Sequence, residues 1–370
     1  MQVPLSKPWI NNFERKMILE GLKNPHLTDG PKLREFELKF SKKVKSNYAI
    51  GVSNGTAAIH LSLLSLGIGE GDEVIVPNMT FVATANAVFL TNAKPVLADI
   101  DDSLNISSES IKKKITRKTK AIIPVHFAGL ACNMNEISKI SKEHNLRIIE
   151  DSAHAFGTYY KGKHVGTFGD VGCFSLYPTK NITTIEGGMA ITNSKKISEK
   201  ITLLRNHGLT KTLLQRNKTS KPWDYDVNEP GYNYRLDEIR SILGISQLKR
   251  FNVIQKKRIN AAKYYNKKLQ NIEGIEIVNL KKESNHAYHL YIIRIKKGFK
   301  KTRNEVHKQL FKKGIKTTVH YKPLNHFSFF KKSAHLKFPQ SESAYKECLS
   351  LPLFPTITKK QQDFVIKNLI

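Results

Sequence analysis

The sequence predicts an α/β protein with a large domain over residues 1–245, built on a mostly parallel seven-stranded sheet, and a smaller α+β domain over 246–370. Three observations predict it. Short runs rich in Val, Ile and Leu recur through the first 250 residues, as in strands buried on both faces of a parallel sheet. Stretches with helical apolar spacing alternate with them. After about residue 245 the alternation stops and a long basic amphipathic stretch begins.

The strands are predicted at Tyr48–Val52, Glu73–Pro77, Pro95–Ile100, Ala121–His126, Arg147–Asp151, Gly172–Tyr177 and Met189–Thr192. Thr56–Leu66 is predicted as a helix because Ala57, Ile59, His60, Leu63 and Leu64 fall at helical spacing. Phe81–Leu90 and Met134–His144 follow the same pattern. Leu209–Pro230 is polar and irregular, and reads as a surface loop or an arm toward a partner subunit. Gln247–Leu269 reads as one long helix with an apolar face through Leu248, Phe251, Ile254, Ala262, Tyr265 and Leu269. The smaller domain continues with strand-like Ala287–Ile295, a helix over Arg303–Lys313, strand-like Lys316–Tyr321 and a closing helix over Lys359–Leu369.

Composition excludes several classes. With 370 residues, 40% hydrophobic and 25% charged, the chain is neither disordered nor fibrous. No run approaches the roughly 18–20 apolar residues of a membrane span. The segment from Met1 to Lys16 lacks the apolar core of a secretory signal. Three scattered cysteines, Cys132, Cys173 and Cys348, suit neither a disulfide framework nor a metal knuckle. A reducing, cytoplasmic setting and no metal are expected. The net charge of +30 raises a nucleic-acid partner as a possibility. The charges, however, are scattered lysine pairs and triplets such as Lys112-Lys113-Lys114, without interleaved aromatics. A solvated surface and no specific nucleic-acid partner are expected.

Chemistry is sought beyond the carboxyl ends of the strands, where open α/β sheets bind ligands. After the first strand, Ser53-Asn54-Gly55-Thr56 opens directly into a helix. That is either an ordinary N-cap or a phosphate site on free backbone amides. The fifth strand ends at Asp151, with His154 three residues on. Asp151 is either a helix cap or a carboxylate that holds a protonated ring nitrogen. Past the sixth strand, Lys180 lies in a small-residue stretch off any charged helix, which makes it a Schiff-base candidate. A phosphate turn, an Asp at a strand end and a Lys after the next strand together meet the requirements of pyridoxal phosphate.

At this point a resemblance becomes explicit. The chain resembles the nucleotide-sugar aminotransferases of the DegT/DnrJ/StrS family, within the aspartate-aminotransferase fold (fold type I of the pyridoxal-phosphate enzymes). It is carried by His26–Pro31 with Phe36-Glu37, Ser53–Ala58, Gly71–Pro77, Thr80–Thr84, Glu150–Gly157, Phe174-Ser175 with Lys180, Glu186-Gly187-Gly188, Gly231–Leu236 and Leu349–Pro355. The resemblance implies that Lys180 binds the cofactor covalently, that Asp151 faces its ring nitrogen and that Phe81 stacks on the ring. It implies phosphate contacts from Gly55, Thr56 and Ser175. Asn233 would reach the phosphate of the other subunit's cofactor, which makes a homodimer with composite sites the working unit. His154 stands where the family often has Gln, on the side of the cofactor's phenolic oxygen. His320 and Tyr321 match a segment that approaches the sugar.

The implied reaction moves an amino group from L-glutamate to a keto group of a nucleoside-diphosphate sugar. Glu150–Gly166 and Leu351–Pro355 look most similar to enzymes that act at carbon 4, and carbon 3 is the alternative. A dehydratase on the same fold would carry another residue, typically His, at position 180. A non-enzymatic regulatory or nucleic-acid-binding protein would not need Lys180, Asp151 and the phosphate turn together.

Overall fold

The computed structural model describes residues 1–211, 213–216, 219–278, 284–333 and 335–370. Seven strands form the large sheet: β1 (Tyr48–Val52), β2 (Glu73–Pro77), β3 (Lys94–Ala98), β4 (Thr119–Ile122), β5 (Arg147–Asp151), β6 (Val171–Ser175) and β7 (Gly188–Thr192). Their spatial order is β1-β7-β6-β5-β4-β2-β3. β7 runs antiparallel to β1 and β6, and the remaining pairs are parallel. A second sheet of three antiparallel strands, β8 (Ile275–Ile277), β9 (Tyr291–Ile295) and β10 (Cys348–Leu351), follows near the C-terminus.

The helices are α1 (Asn12–Gly21), α2 (Pro31–Val44), α3 (Gly55–Ser65), α4 (Ala83–Phe89), α5 (Met134–Glu143), α6 (Lys195–Leu204), α7 (Glu238–Leu269), α8 (Arg303–Lys312), α9 (Pro339–Glu347) and α10 (Lys359–Leu369). α3 on one side and α2 and α7 on the other cover the two faces of the large sheet, because alternate strand residues point to opposite sides. Val74, Val76, Ile149, Cys173 and Ala190 share a buried cluster with Ala57, Ile59, Leu61 and Leu63 of α3. Phe174, Met189 and Ile191 face the other way, onto Phe36 and Phe40 of α2 and Phe251 of α7. α3 is buried around most of its circumference, as its largely apolar composition requires.

Where the structure departs from the sequence reading, the cause is visible. α7 begins at Glu238 rather than Gln247, because Asp237 caps it by accepting the Arg240 N–H at 2.8 Å. The strand expected over Ala287–Ile295 starts only at Tyr291. Tyr288 sits at φ 47°, and the N–H groups of Ala287 and Leu290 donate to the carbonyls of Gly129 and Ala128. Lys316–Tyr321 is not a strand. Thr318 makes a single bridge to Ser350, and the Lys316 N–H donates to the Val3 carbonyl. The segment Leu209–Pro230 holds a short helix at Leu213–Arg216 and a bridge from Leu209 to Val227; residues 212, 217 and 218 within it lie outside the described residues.

The N-terminus of α2 is capped from a distance. Gly30 has no side chain to cap with. The buried carboxylate of Glu238 accepts the N–H groups of Gly30, Lys32 and Leu33 at 3.1, 2.8 and 2.9 Å. A Cβ on Gly30 would lie 2.4 Å from that carboxylate, so a larger residue at position 30 would have to displace the capping group. A buried donor left without an acceptor costs about 1–3 kcal/mol. Glu238→Ala is therefore expected to lower the unfolding free energy by about 3 kcal/mol in urea titrations, with Glu238→Gln recovering part of the loss.

Candidate active site

The carboxyl ends of β1, β5 and β6 open onto one cleft of about 500 Å³, within the usual size of a cofactor or ligand site. At its floor β1 runs through Ser53 and Asn54 into α3. Asn54 caps that helix by accepting the Ala57 N–H at 2.8 Å. The amides of Gly55 and Thr56 therefore stand at the helix's open, positive end, where an anion is favoured. Crowding keeps this turn in place. A Cβ on Gly55 would meet the Ser175 Cβ at 3.0 Å, and one on Gly188 would lie 2.2 Å from the Asn54 carbonyl oxygen. The Glu186-Gly187-Gly188 motif thus lets β7 press against the anion turn.

Asp151 ends β5 and is 5% exposed. Its carboxylate accepts the Thr84 hydroxyl at 2.8 Å and the Ala153 N–H at 3.1 Å. Burial pushes its pKa up, opposed by these two bonds and by the charge of Lys180. Lys180 follows β6 across the turn Tyr177–Lys180, which its own N–H closes onto the Tyr177 carbonyl. Burial lowers its pKa to about 8, with Asp151 opposing. Under the same turn lies the buried guanidinium of Arg258, which donates to the carbonyls of Thr179, Tyr288, His289 and Leu353.

His154 is held in one tautomer. Its Nδ1 accepts the Ala128 N–H at 3.3 Å, so the neutral ring carries its proton on Nε2. Burial, then repulsion from Lys180 and His320, holds its pKa well below the ordinary histidine value. Nε2 lies 3.3 Å from the Tyr321 hydroxyl. With Nε2–H donating, the phenol accepts and keeps its own O–H to donate elsewhere. Tyr321 also meets Phe81, ring centroids 5.9 Å apart, and Phe81 is 56% exposed.

The structure therefore brings Gly55, Thr56, Phe81, Asp151, His154, Ser175, Lys180, His320 and Tyr321 around one cleft. Asn233 does not line the cleft of its own chain. It sits exposed between Tyr232 and Tyr234 on an extended segment whose amides bond to the end of α6, and it bridges to Asn206. Sequence reasoning assigned no role to Thr84, Ala128 or Arg258. Thr84 had a signal, three residues past Phe81 in the Thr80–Thr84 motif. Ala128 and Arg258 act through backbone contacts that leave no local pattern.

Residues 8–370 match the model of the DegT/DnrJ/EryC1/StrS aminotransferase family. The chain belongs to that family. The aminotransferase is 42% identical to an uncharacterised protein of Methanocaldococcus jannaschii, over 96% of this chain and 94% of that one. It is 38% identical to the Bacillus subtilis spore coat polysaccharide biosynthesis protein SpsC, over 99% and 95%. Among solved structures it is similar to Helicobacter pylori PseC, described as an aminotransferase involved in the biosynthesis of pseudoaminic acid. The TM-score is 0.93 at 29% identity, covering 100% of this chain and 98% of that one. The fold is that of the pyridoxal-phosphate-dependent aminotransferases, and pyridoxal phosphate is the cofactor.

The residues present fit that group. A helix end suits its phosphate, an exposed aromatic ring its flat face, and a buried amine its aldehyde. Asp151, whose burial disfavours its own charge, gains most from a cationic ring nitrogen.

Two outcomes are expected. Capture of pyridoxal phosphate through Lys180 would need its neutral amine, and its pKa is about 8. The capture rate followed by absorbance should rise roughly tenfold between about pH 7 and about pH 9 and then level off, whereas an unshifted lysine would keep gaining to about pH 10.5. Gly188→Ala, by displacing the Asn54 carbonyl, should weaken cofactor retention on gel filtration while leaving the circular dichroism spectrum in place.

Proposed function

We propose that this aminotransferase moves the amino group of L-glutamate to the keto group, at carbon 4, of a nucleoside-diphosphate keto-sugar. The observation that carries the reading is that a half-buried Lys180 and a buried Asp151 share a single cleft that also holds a helix-end anion site. The descriptions of the polysaccharide and pseudoaminic-acid relatives support a sugar acceptor. Carbon 4 rests on the resemblance of Glu150–Gly166 and Leu351–Pro355.

When bound, pyridoxal phosphate supplies an electron sink for the carbon that loses or gains a proton. The chain does the rest. Lys180 holds the cofactor and, once freed, takes the proton from the donor's α-carbon at Nζ and delivers it where it is next needed. Asp151 keeps a proton on the ring nitrogen through its negative charge, while Thr84 and the Ala153 amide fix the carboxylate. Gly55, Thr56 and Ser175 bind the phosphate. Phe81 covers one face of the ring. His154, locked as the Nε2–H tautomer, presents a donor and orients Tyr321, whose free O–H and neighbour His320 meet the sugar.

We further propose a homodimer with composite sites. Asn233 is exposed and does not line its own cleft; it lies between Tyr232 and Tyr234, which stack at 5.1 Å and pack on His60. Its side-chain amide is free to donate to the phosphate in the partner's site. Residues 1–245 and 246–370 are proposed as the two domains, supported by the separate apolar cluster of the second sheet with Val306, Leu310 and Val365.

Lys180→Ala and Asn233→Ala should each be impaired alone. In a mixed dimer one site collects both lesions and the other neither, so activity should partly return. No recovery in mixed dimers verified by mass would mean that Asn233 serves its own chain's site or none. Product analysis by mass spectrometry and NMR, with glutamate and keto-sugar nucleotides, tests donor, acceptor and carbon together. An amine at carbon 3 would overturn the positional reading.

A further inference from the structure

Behind Lys180 lies a second, smaller chamber of about 80 Å³. Thr179, Lys180, His320 and Tyr321 line both it and the main cleft, so these residues form the partition between the two. The far wall is Leu5, Ser6, His289, Leu290, Leu351 and Leu353. The N-terminal strap that supplies Leu5 and Ser6 is tied down. Val3 donates to the Gly314 carbonyl, Lys316 to that of Val3, and Leu353 to that of Leu5.

Among the described residues, two wall atoms find no hydrogen-bond partner: His289 Nδ1 and Ser6 Oγ. His289 is 5% exposed, and its ring packs on that of His154 with centroids 4.4 Å apart. Burial first, and the nearby charges of His154, Lys180, Arg258 and His320 after it, hold its pKa well below the ordinary value. It is therefore a neutral ring with a buried nitrogen to satisfy. A buried polar atom in a native fold finds a partner in protein or in ordered water. A water needs about 10–15 Å³ of accessible volume and two to four polar neighbours, and the chamber offers both.

We propose that this rear chamber is a water site anchored by His289 and Ser6, through which the amine of Lys180 exchanges protons with solvent. In the exchange, the protonated amine gives one N–H proton to the adjoining water and takes one back from it. Only N–H and O–H bonds break and form, and the charge on Lys180 is the same at the end. His289 acts as a positioning residue, because it holds the water and touches neither substrate nor cofactor. The proposal rests on Lys180 as the proton carrier, and the two fail separately. Turnover by Lys180→Ala would end that reading, whereas a dry chamber ends this one alone.

The first test is a high-resolution crystal structure of the holoenzyme. Ordered water within hydrogen-bond distance of His289 Nδ1 is expected, and a chamber without density overturns the proposal. The second test is exchange in deuterium oxide, with L-glutamate as the probe and NMR reading deuterium at its α-carbon. His289→Phe, which fills the site and accepts no hydrogen bond, should slow exchange tenfold or more while the absorption of the bound cofactor persists. His289→Gln, whose carbonyl still accepts from water, should stay within about threefold of wild type. Should His289→Phe not fold, Ser6→Val serves in its place, with a smaller fall in the same direction. Wild-type exchange in the variant that folds overturns the proposal.

Discussion

A buried carboxylate and a half-buried amine in the same cleft are the constraint on which the rest of this structure depends. Isolated, each is destabilised by loss of water. Asp151 is pushed toward its neutral form and Lys180 toward the free amine, and their mutual attraction opposes both shifts only in part. That tension is useful to an enzyme that needs a nucleophilic lysine near neutral pH and a carboxylate that favours a cationic ring. Both groups must stay in place without relaxing into solvent, which is the task of the surrounding sheet.

The sheet meets that demand with backbone contacts. Glu150, beside Asp151, points to the opposite face and is fully buried. It accepts the N–H groups of Gly166, Phe168 and Gly169 at 2.6, 2.6 and 2.8 Å, and pairs with His126 Nε2 at 2.9 Å. His126 Nδ1 in turn accepts the Cys132 N–H, and the His126 N–H donates to the Asp151 carbonyl. The end of β5 is thus clamped on one side by a polar network and on the other by Thr84. For Lys180 the matching anchor is Arg258, a buried cation spread over four carbonyls of three segments. Loss of water lowers its pKa to about 10, and it stays protonated at neutral pH.

The C-terminal part of the chain closes the site. Tyr321 reaches across to His154, and His320 is held by Ser350 at 2.8 Å. The histidine at position 154 brings a ring locked by the amide of Ala128, a residue at φ 57°. It offers a single donor and packs at a tilt against His289, so this position links the cleft to the wall of the chamber behind Lys180.

The sequence by itself determined the anion turn, the carboxylate at a strand end, the lysine past the next strand and most of the strands and helices, since all of these are local. Periodicity marks which face of an element is buried, and a capping or strand-end residue declares itself within a few positions. The spacing of Leu33, Phe36, Phe40 and Val44 in α2 belongs to the same legible class. Tertiary structure alone decided which distant groups complete the local ones. Glu238 caps a helix some 205 residues away, and Tyr321 meets His154 across 167. The strand-like pattern of Ala287–Ile295 is broken by Tyr288 and by bonds to Ala128 and Gly129. Such pairings depend on how whole elements pack, and a buried polar group takes whatever partner that packing delivers. No pattern in its own neighbourhood names the partner.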